Sequence, residues 1–124
     1  MIESIRVGGR AKNQLSALKR RTGIANWNVL CRWAFCVSLR EKSAPRGDGQ
    51  TTDGGVEMTW RTFAGQYDEI FLALLKQRCS ADGLTTDVEE LQRQLRRHLH
   101  RGIGYLASKN GIKSIDQLIE LAVT

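Results

Sequence analysis

The amino-acid sequence predicts an all-α fold, a compact bundle of about five helices that follows one short N-terminal strand. Three observations carry this prediction. One helix-length segment is apolar on nearly all of its faces, four further segments repeat apolar residues at helical spacing, and the last two of these begin with capping boxes. The 124 residues are expected to form a single domain that spans 1–124.

The segment from Ile24 to Glu41 is the apolar centre of the sequence. Between Asn26 and Leu39 its only charged residue is Arg32. Since a helix that is apolar nearly all round is covered on most sides, it should pack against helices of the same chain, a second copy, or both. Large aromatic side chains are enriched at interfaces, so Trp27 and Trp33 are assigned to an oligomer interface. The predicted core face is Trp27, Leu30, Cys31, Ala34 and Phe35.

The first forty residues predict a strand followed by two helices. Residues 4–7 alternate, which predicts a strand with Ile5 and Val7 inward and the polar pair, Ser4 and Arg6, outward. A helix is predicted from about 9 to 21. Thr22-Gly23 should end it, with the glycine in the left-handed conformation, and Asn26 should cap the helix that follows.

The middle of the chain is predicted as a flexible loop, because residues 42–55 hold the only proline, four glycines and no large apolar residue. The next stretch, 56–60, is either a strand or a segment that docks Trp60 into the core.

Three helices are predicted in the second half. The first covers about 63–81, the second begins at the capping box Thr86–Glu89, and the third at the capping box Ser114–Gln117. Their expected inward residues are Tyr67, Ile70, Phe71, Leu74 and Leu75 on the first, Val88, Leu91, Leu95, Leu99, Ile103 and Leu106 on the second, and Ile115, Leu118, Ile119 and Ala122 on the third.

The positive charge is concentrated near the N-terminus. Residues 1–46 hold ten Lys and Arg against two acidic residues, whereas 47–124 hold nine against eleven, so the net charges are +8 and −2. This asymmetry predicts binding to a polyanion, with duplex DNA as the expected partner. The residues assigned to DNA contact are Arg10, Lys12, Lys19, Arg20 and Arg21 on the first helix, and Arg93, Arg96, Arg97 and Arg101 on the helix that begins near 86.

No catalytic or metal-binding pattern is expected. His98 and His100, two apart on a helix, point about 160° away from each other. The three cysteines form no CxxC pair and are interpreted as reduced, buried and structural. The adjacent acidic pairs, Asp68-Glu69 and Glu89-Glu90, do not converge. We therefore expect no catalytic residue, metal or cofactor. Gly8-Gly9, which opens a basic helix, is the one candidate phosphate contact among the glycine pairs.

The chain shows neither a secretory signal nor an apolar run of membrane-spanning length, so a cytoplasmic protein is expected.

Several long strings resemble the DndE-type DNA sulfur-modification (DNA phosphorothioation) family. They are "RTGIANWNVLCRWAFCVSLRE", "VEMTW", "HLHRGIGYLAS" and "IKSIDQLIELA". The resemblance implies a small helical homotetramer that binds duplex DNA, preferentially at nicks. It implies bacterial partners, a cysteine desulfurase and iron–sulfur proteins, which replace a non-bridging phosphate oxygen with sulfur. It supplies no catalytic residue, and its basic positions are Lys19, Arg20, Arg21, Arg97 and Arg101.

Two other hypotheses fit parts of the sequence. A strand, a basic helix, a glycine turn and an apolar helix also resemble the ribbon-helix-helix class, in which two copies pair their strands in the major groove. That arrangement makes the protein a sequence-specific repressor that reads bases through Ser4 and Arg6. A protein-only adaptor, whose basic faces meet an acidic partner, is the third hypothesis.

Overall fold

The computed structural model describes residues 2–47, 49 and 51–123 as a mainly helical domain with a small sheet, which confirms the predicted fold class. A 3-10 turn, Gly65–Tyr67, separates the third and fourth helices. The strands are β1 (Ser4–Val7) and β2 (Val56–Thr59), and the helices are α1 (Gly9–Thr22), α2 (Trp27–Arg40), α3 (Trp60–Ala64), α4 (Asp68–Ala81), α5 (Val88–Ala107) and α6 (Ile115–Val123).

Helices α2 and α5 cross at the centre of the domain with their backbones in contact. A Cβ built on Gly102 of α5 would lie 1.8 Å from the carbonyl oxygen of Ala34 on α2. Next to this crossing the ring of Phe35 packs against Phe63 and Phe71, with centroids 6.0 and 5.8 Å apart. The predicted core face of α2 is thus confirmed for Leu30, Cys31, Ala34 and Phe35, which are all fully buried.

The other side of α2 is not covered by its own chain. Trp33 and Val37 are half-buried there, and Cys36 is exposed. The expectation that this helix is covered on most sides is therefore wrong within one chain, and so is the expected burial of Cys36. The cause is geometric: α5, α1 and α3 all approach α2 from its inner side.

Strand β1 pairs antiparallel with β2 of the same chain. As predicted, Ile5 and Val7 are buried and Arg6 is exposed. Arg6 donates to Glu57 across the strand pair at 2.9 Å. The ribbon-helix-helix hypothesis pairs this strand with a second copy, whereas here its partner is β2 of the same chain.

Both interpretations of residues 56–60 hold at once. The first four form β2, and Trp60 begins α3 with its side chain buried in the core. Its indole Nε1 donates to Asp68, at the start of α4. Thr59 caps α3 by accepting a hydrogen bond from the Thr62 amide at 3.0 Å. The single helix predicted over 63–81 is consequently three pieces, with a bend at Gly65, where φ is +58°.

The helix ends follow local signals with small shifts. Gly23 ends α1 in the left-handed conformation, as predicted. Asn26 occupies the N-cap position of α2 but makes no side-chain capping bond. Helix α5 is capped by Asp87, which accepts from the Glu90 amide at 2.9 Å, one residue later than predicted. Ser114 caps α6 as predicted, by accepting from the Gln117 amide at 3.3 Å.

The predicted loop packs against the domain at both of its ends. Pro45 is buried, and the carbonyl oxygen of Ser43 accepts from two arginines. The carbonyl oxygen of Asp53 accepts from the amide of Gly9 at 3.0 Å. Two residues of the segment that was predicted to be flexible, Asp48 and Gln50, lie outside the described residues.

Two rows of apolar side chains remain exposed, contrary to the sequence-based expectation. The α4 stripe (Tyr67, Ile70, Leu74) points to solvent, and Ile70 is 58% exposed. The α6 stripe (Ile115, Ile119, Val123) is likewise uncovered, with Ile119 51% and Val123 79% exposed. Val88 and Ala122, also expected inward, are exposed as well. These helices carry apolar residues on two faces, and a single chain covers only one of them.

In the part of the chain that the structure describes, none of the helices is both long enough and apolar enough to traverse a lipid bilayer.

Candidate nucleic-acid interface

The outer face of α1 is basic and contains no acidic residue. Ala11, Leu15 and Leu18 anchor the inner face in the core, which turns Arg10, Lys12 and Arg20 outward. None of these three cations forms a salt bridge with a carboxylate among the described residues. Since no acidic residue lies within the helix itself, the positive potential of this face is not offset locally.

Two other basic residues of α1 make contacts that hold the helix in place. The Lys19 ammonium lies 3.6 Å from the ring centroid of Trp27, a cation–π contact between α1 and α2. The Arg21 guanidinium donates to the carbonyl oxygens of Ala107 and Ile112, at 3.2 and 3.4 Å. These two contacts orient the exposed basic face relative to the rest of the domain.

The first three arginines of α5 each lie in a different environment. Arg96 is exposed and lines a polar cleft of about 280 Å³ with Arg6 and Gln92. Arg93 donates to Glu90 one turn earlier at 3.0 Å, so its charge is partly compensated. Arg97 lies against the backbone of Gly47. A Cβ built on Gly47 would be 3.2 Å from Nη2 of Arg97. Arg96 is therefore the most accessible of these three cations.

Arg101 bonds to the C-terminal end of α2. It donates to the hydroxyl and the carbonyl oxygen of Ser38, each at 2.8 Å, and to the carbonyl oxygen of Ser43 at 2.8 Å. Burial, and then the nearby charge of Arg78, lowers the pKa of this guanidinium. Its geometry is that of a structural cap, since cations are favourable at a helix C-terminus and most of its donors are already used.

Arg78, which was not predicted from the sequence, holds the same helix end. This buried side chain donates to the carbonyl oxygens of Leu39, Glu41 and Ser43, at 3.0, 2.6 and 2.7 Å. It also forms a salt bridge with Asp82 at 3.1 Å. The spacing of Arg78 and Asp82, four apart on α4, is the only local sign of this role. We name Arg78 and Arg101 the arginine clamp.

Both histidine side chains make hydrogen-bonding contacts in the interior of the domain. Nε2 of His100 accepts from the amide of Gly8 at 3.2 Å. With the Gly9 amide bonded to Asp53, both glycine amides are occupied, and a Cβ on Gly8 would lie 1.9 Å from the carbonyl oxygen of Thr51. Neither glycine amide is therefore available to a phosphate at this helix start. His98 is buried, and its Nδ1 lies 2.8 Å from the Ser38 hydroxyl.

Acid is expected to destabilise the domain through His98. Burial first, then the charges of Arg101 and Arg78, lowers the pKa of His98 to about 4, with Asp82 opposing. In the unfolded chain the pKa returns to about 6.5, so that state binds the proton first. The contribution of His98 is complete above pH 6.5 and declines towards pH 4, by up to about 3 kcal/mol.

Urea unfolding at several pH values measures this loss. His98→Gln should show a smaller decrease in the free energy of unfolding between pH 6.5 and 4 than the unaltered protein. The other histidine, His100, is present in both proteins and cancels in the comparison. Equal decreases in the two proteins would contradict the assignment.

The two tryptophans assigned to one interface lie in different places. They are six residues apart on α2, which separates them by about 120° around the helix. Trp27 lies under Lys19 and lines a cleft with Asn26 and Met58, whereas Trp33 lines a groove with Leu121 of α6. The structure does not bring Trp27 and Trp33 together on one surface.

The described residues include no group of three His, Cys, Asp or Glu that would hold a metal ion. Burial raises the pKa of the Cys31 thiol to about 12 and also raises those of Cys36 and Cys79. Thiols with raised pKa values carry little thiolate and are weak nucleophiles.

This geometry defines a class of protein: a small, mainly helical domain with one basic helix face. Its buried polar side chains make hydrogen bonds within the domain. The family model described as "DNA sulphur modification protein DndE" matches residues 4–114. The match covers most of the chain, which therefore belongs to the DndE family, and the resemblance recognised from the sequence is confirmed.

A solved structure agrees with this assignment. The chain is similar to the crystal structure of DndE from Escherichia coli B7A, described as involved in DNA phosphorothioation modification. The identity is 25% and the TM-score is 0.69, over 86% of this chain and 100% of the other. No curated protein matches the chain.

Proposed function

We propose that this protein is a non-enzymatic DNA-binding subunit of the bacterial DNA phosphorothioation machinery in the cytoplasm. It binds duplex DNA, preferentially at nicks, as a homotetramer beside the other subunits of the modification complex. Membership of the DndE family supports a role of this protein in DNA sulfur modification. The basic face of α1 is the observation that carries the DNA-binding part.

Positive charge that the fold leaves unpaired favours DNA as the ligand. Arg10, Lys12 and Arg20 are exposed on a helix without acidic residues, and none is paired with a described carboxylate. Phosphate contacts of this kind release counterions and give affinity without base recognition. The exposed Arg96 extends the site to α5, while Lys19, Arg21, Arg93 and Arg97 belong to it as partly engaged cations.

Two separate apolar surfaces support the proposed tetramer. The α4 stripe and the uncovered side of α2 lie on different elements, and large exposed apolar patches are typical of interaction sites. A tetramer with dihedral symmetry requires at least two self-complementary interfaces per chain. Trp33 lies on the second surface and remains a proposed interface residue, whereas the contact of Trp27 with Lys19 favours an internal role.

Removing the charge of the α1 face should weaken DNA binding strongly. In the triple variant Arg10→Gln, Lys12→Gln, Arg20→Gln, we expect a roughly tenfold or greater loss of affinity at 0.1 M salt. The slope of log affinity against log salt should become shallower by about 2 to 3, since each phosphate contact contributes about 0.9. Fluorescence anisotropy with intact and singly nicked duplexes of two unrelated sequences measures both.

The matched control removes the same charge elsewhere. Arg61, Lys76 and Lys109 are exposed on α3, on α4 and after α5. The control Arg61→Gln, Lys76→Gln, Lys109→Gln should keep the affinity and the salt slope nearly unchanged. Equal losses in both triple variants would mean that net charge alone drives binding. If the unaltered protein binds neither duplex at physiological salt, the protein is an adaptor that contacts only other proteins.

A further inference from the structure

A groove runs along the uncovered side of α2, where the end of α6 lies beside it. Its volume is about 470 Å³. The two helices form its floor and sides from mostly apolar side chains, which no other part of the described chain covers. Its lining is Trp33, Cys36, Val37, Leu121 and Ala122, with Arg32 and Arg40 at the borders.

The two bordering arginines are held in place but not neutralised. Arg32 donates to the carbonyl oxygens of Phe63 and Thr62, and Arg40 donates to that of Leu121 at 2.9 Å. Neither forms a salt bridge with a described carboxylate. They lie eight positions apart on α2, so they mark a groove about 12 Å long. An occupant should combine an apolar face with acidic groups along its edge.

Helix α6 has those properties on its outward side. The α6 stripe places Ile115, Ile119 and Val123 four residues apart on one exposed face. Asp116 and Glu120 lie along one edge of that face, also four apart, and neither is paired with a described cation. The nine residues of α6 span about 13.5 Å, close to the distance between the arginines.

We propose that the α6 stripe of one copy occupies the α2–α6 groove of a second copy, and the reverse, around a two-fold axis. The stripe cannot fold back into its own groove, because the same helix forms one wall of it. A two-fold pairing covers both exposed surfaces of both chains together. It also places the acidic edge of each α6 against the two arginines of the opposite groove, and this charge pairing sets the orientation of the two copies.

This inference rests on the proposed self-assembly and does not depend on DNA binding. It goes beyond the tetramer by naming the two surfaces that meet and the ion pairs between them. Glu120 opposite Arg40 of the second copy is the contact most open to a direct test, since both side chains are exposed.

Charge reversal on each side of the contact tests the pairing. Sedimentation velocity over a range of micromolar concentrations should show that Arg40→Glu and Glu120→Arg each shift the protein to a smaller species than the unaltered chain. We expect the dissociation constant of the affected contact to rise at least tenfold. In each variant by itself the like charges face each other twice around the axis.

Mixing the two variants is the decisive step. In a mixed pair the two introduced side chains, which are of opposite charge, meet at one contact, and the unaltered Arg40 and Glu120 meet at the other. The larger species should therefore return. The controls Arg61→Glu and Glu3→Arg change charge equally at exposed sites that do not line the groove, and they should assemble normally. Circular dichroism verifies that every variant retains its helical content.

The outcomes separate the two proposals. If the unaltered protein is monomeric at every concentration, the proposed self-assembly fails and the interface fails with it. If it assembles but the two variants assemble equally well, only the interface is wrong. An oligomer that dissociates in both variants and does not return on mixing overturns the two-fold pairing, as does loss of assembly in the controls.

Discussion

Alanine at Gly102 is expected to lower the free energy of unfolding by about 3 kcal/mol or more, at or beyond the upper end of the usual cost of overpacking. The added Cβ would lie 1.8 Å from the Ala34 carbonyl oxygen and 2.8 Å from the Ala34 Cα. These atoms belong to the backbone of α2, so no side chain can rotate to relieve the clash. The two central helices must move apart, and the contacts around Phe35 weaken with them.

Gly104 provides the matched control two residues further along α5. A Cβ built there has no neighbouring atom within 4 Å. Gly104→Ala should therefore be neutral or stabilising, by up to about 1 kcal/mol from helix propensity. Urea unfolding followed by tryptophan fluorescence compares the two variants directly. If Gly102→Ala is as stable as Gly104→Ala, the close crossing of α2 and α5 is wrong.

Replacing Arg78 by methionine is expected to lower the free energy of unfolding by about 3 to 5 kcal/mol. The substitution keeps most of the apolar stem and removes the guanidinium, which donates to three carbonyl oxygens and pairs with Asp82. The pair is nearly buried, since about 10% of each side chain is exposed. Asp82 is then left as a charge without its partner, and carbonyl groups at the end of α2 lose their donor.

Lys76→Met is the control for this prediction, because Lys76 is an exposed cation on the same helix. Its effect should stay within about 0.5 kcal/mol, as is usual for surface substitutions. Hydrogen exchange gives a second readout. Loss of the Arg78 guanidinium should increase amide exchange in the last turn of α2 more than in the last turn of α1. If Arg78→Met and the control unfold at the same urea concentration, the Arg78 half of the clamp contributes little to stability.

The clamp also bears on the DNA site. From the sequence, Arg101 is one of several arginines on the polar side of a helix and is equivalent to Arg96 or Arg97. In the fold it shares its acceptor, the Ser43 carbonyl oxygen, with Arg78. Loss of DNA binding in an Arg101 variant would therefore have to be compared with its stability before it is assigned to a phosphate contact.

Local patterns in the sequence determined most of the helices, several of their ends and the first layer of the core. The buried positions of α1, the left-handed Gly23 and the core face of α2 all follow from interactions within about four residues along the chain. The basic character of the N-terminal third and the family resemblance were also readable from the residues alone.

Tertiary structure decided which cations are engaged and which apolar faces stay uncovered. Arg101 meets Ser38 across 63 positions of sequence and Arg78 meets Leu39 across 39, so local patterns do not reveal which acceptors these arginines bind. Ile70 and Ile119 follow the same helical spacing as buried residues of their helices, yet they are exposed. The physical reason is that periodicity identifies an apolar face, whereas its burial depends on whether another element of the chain reaches it.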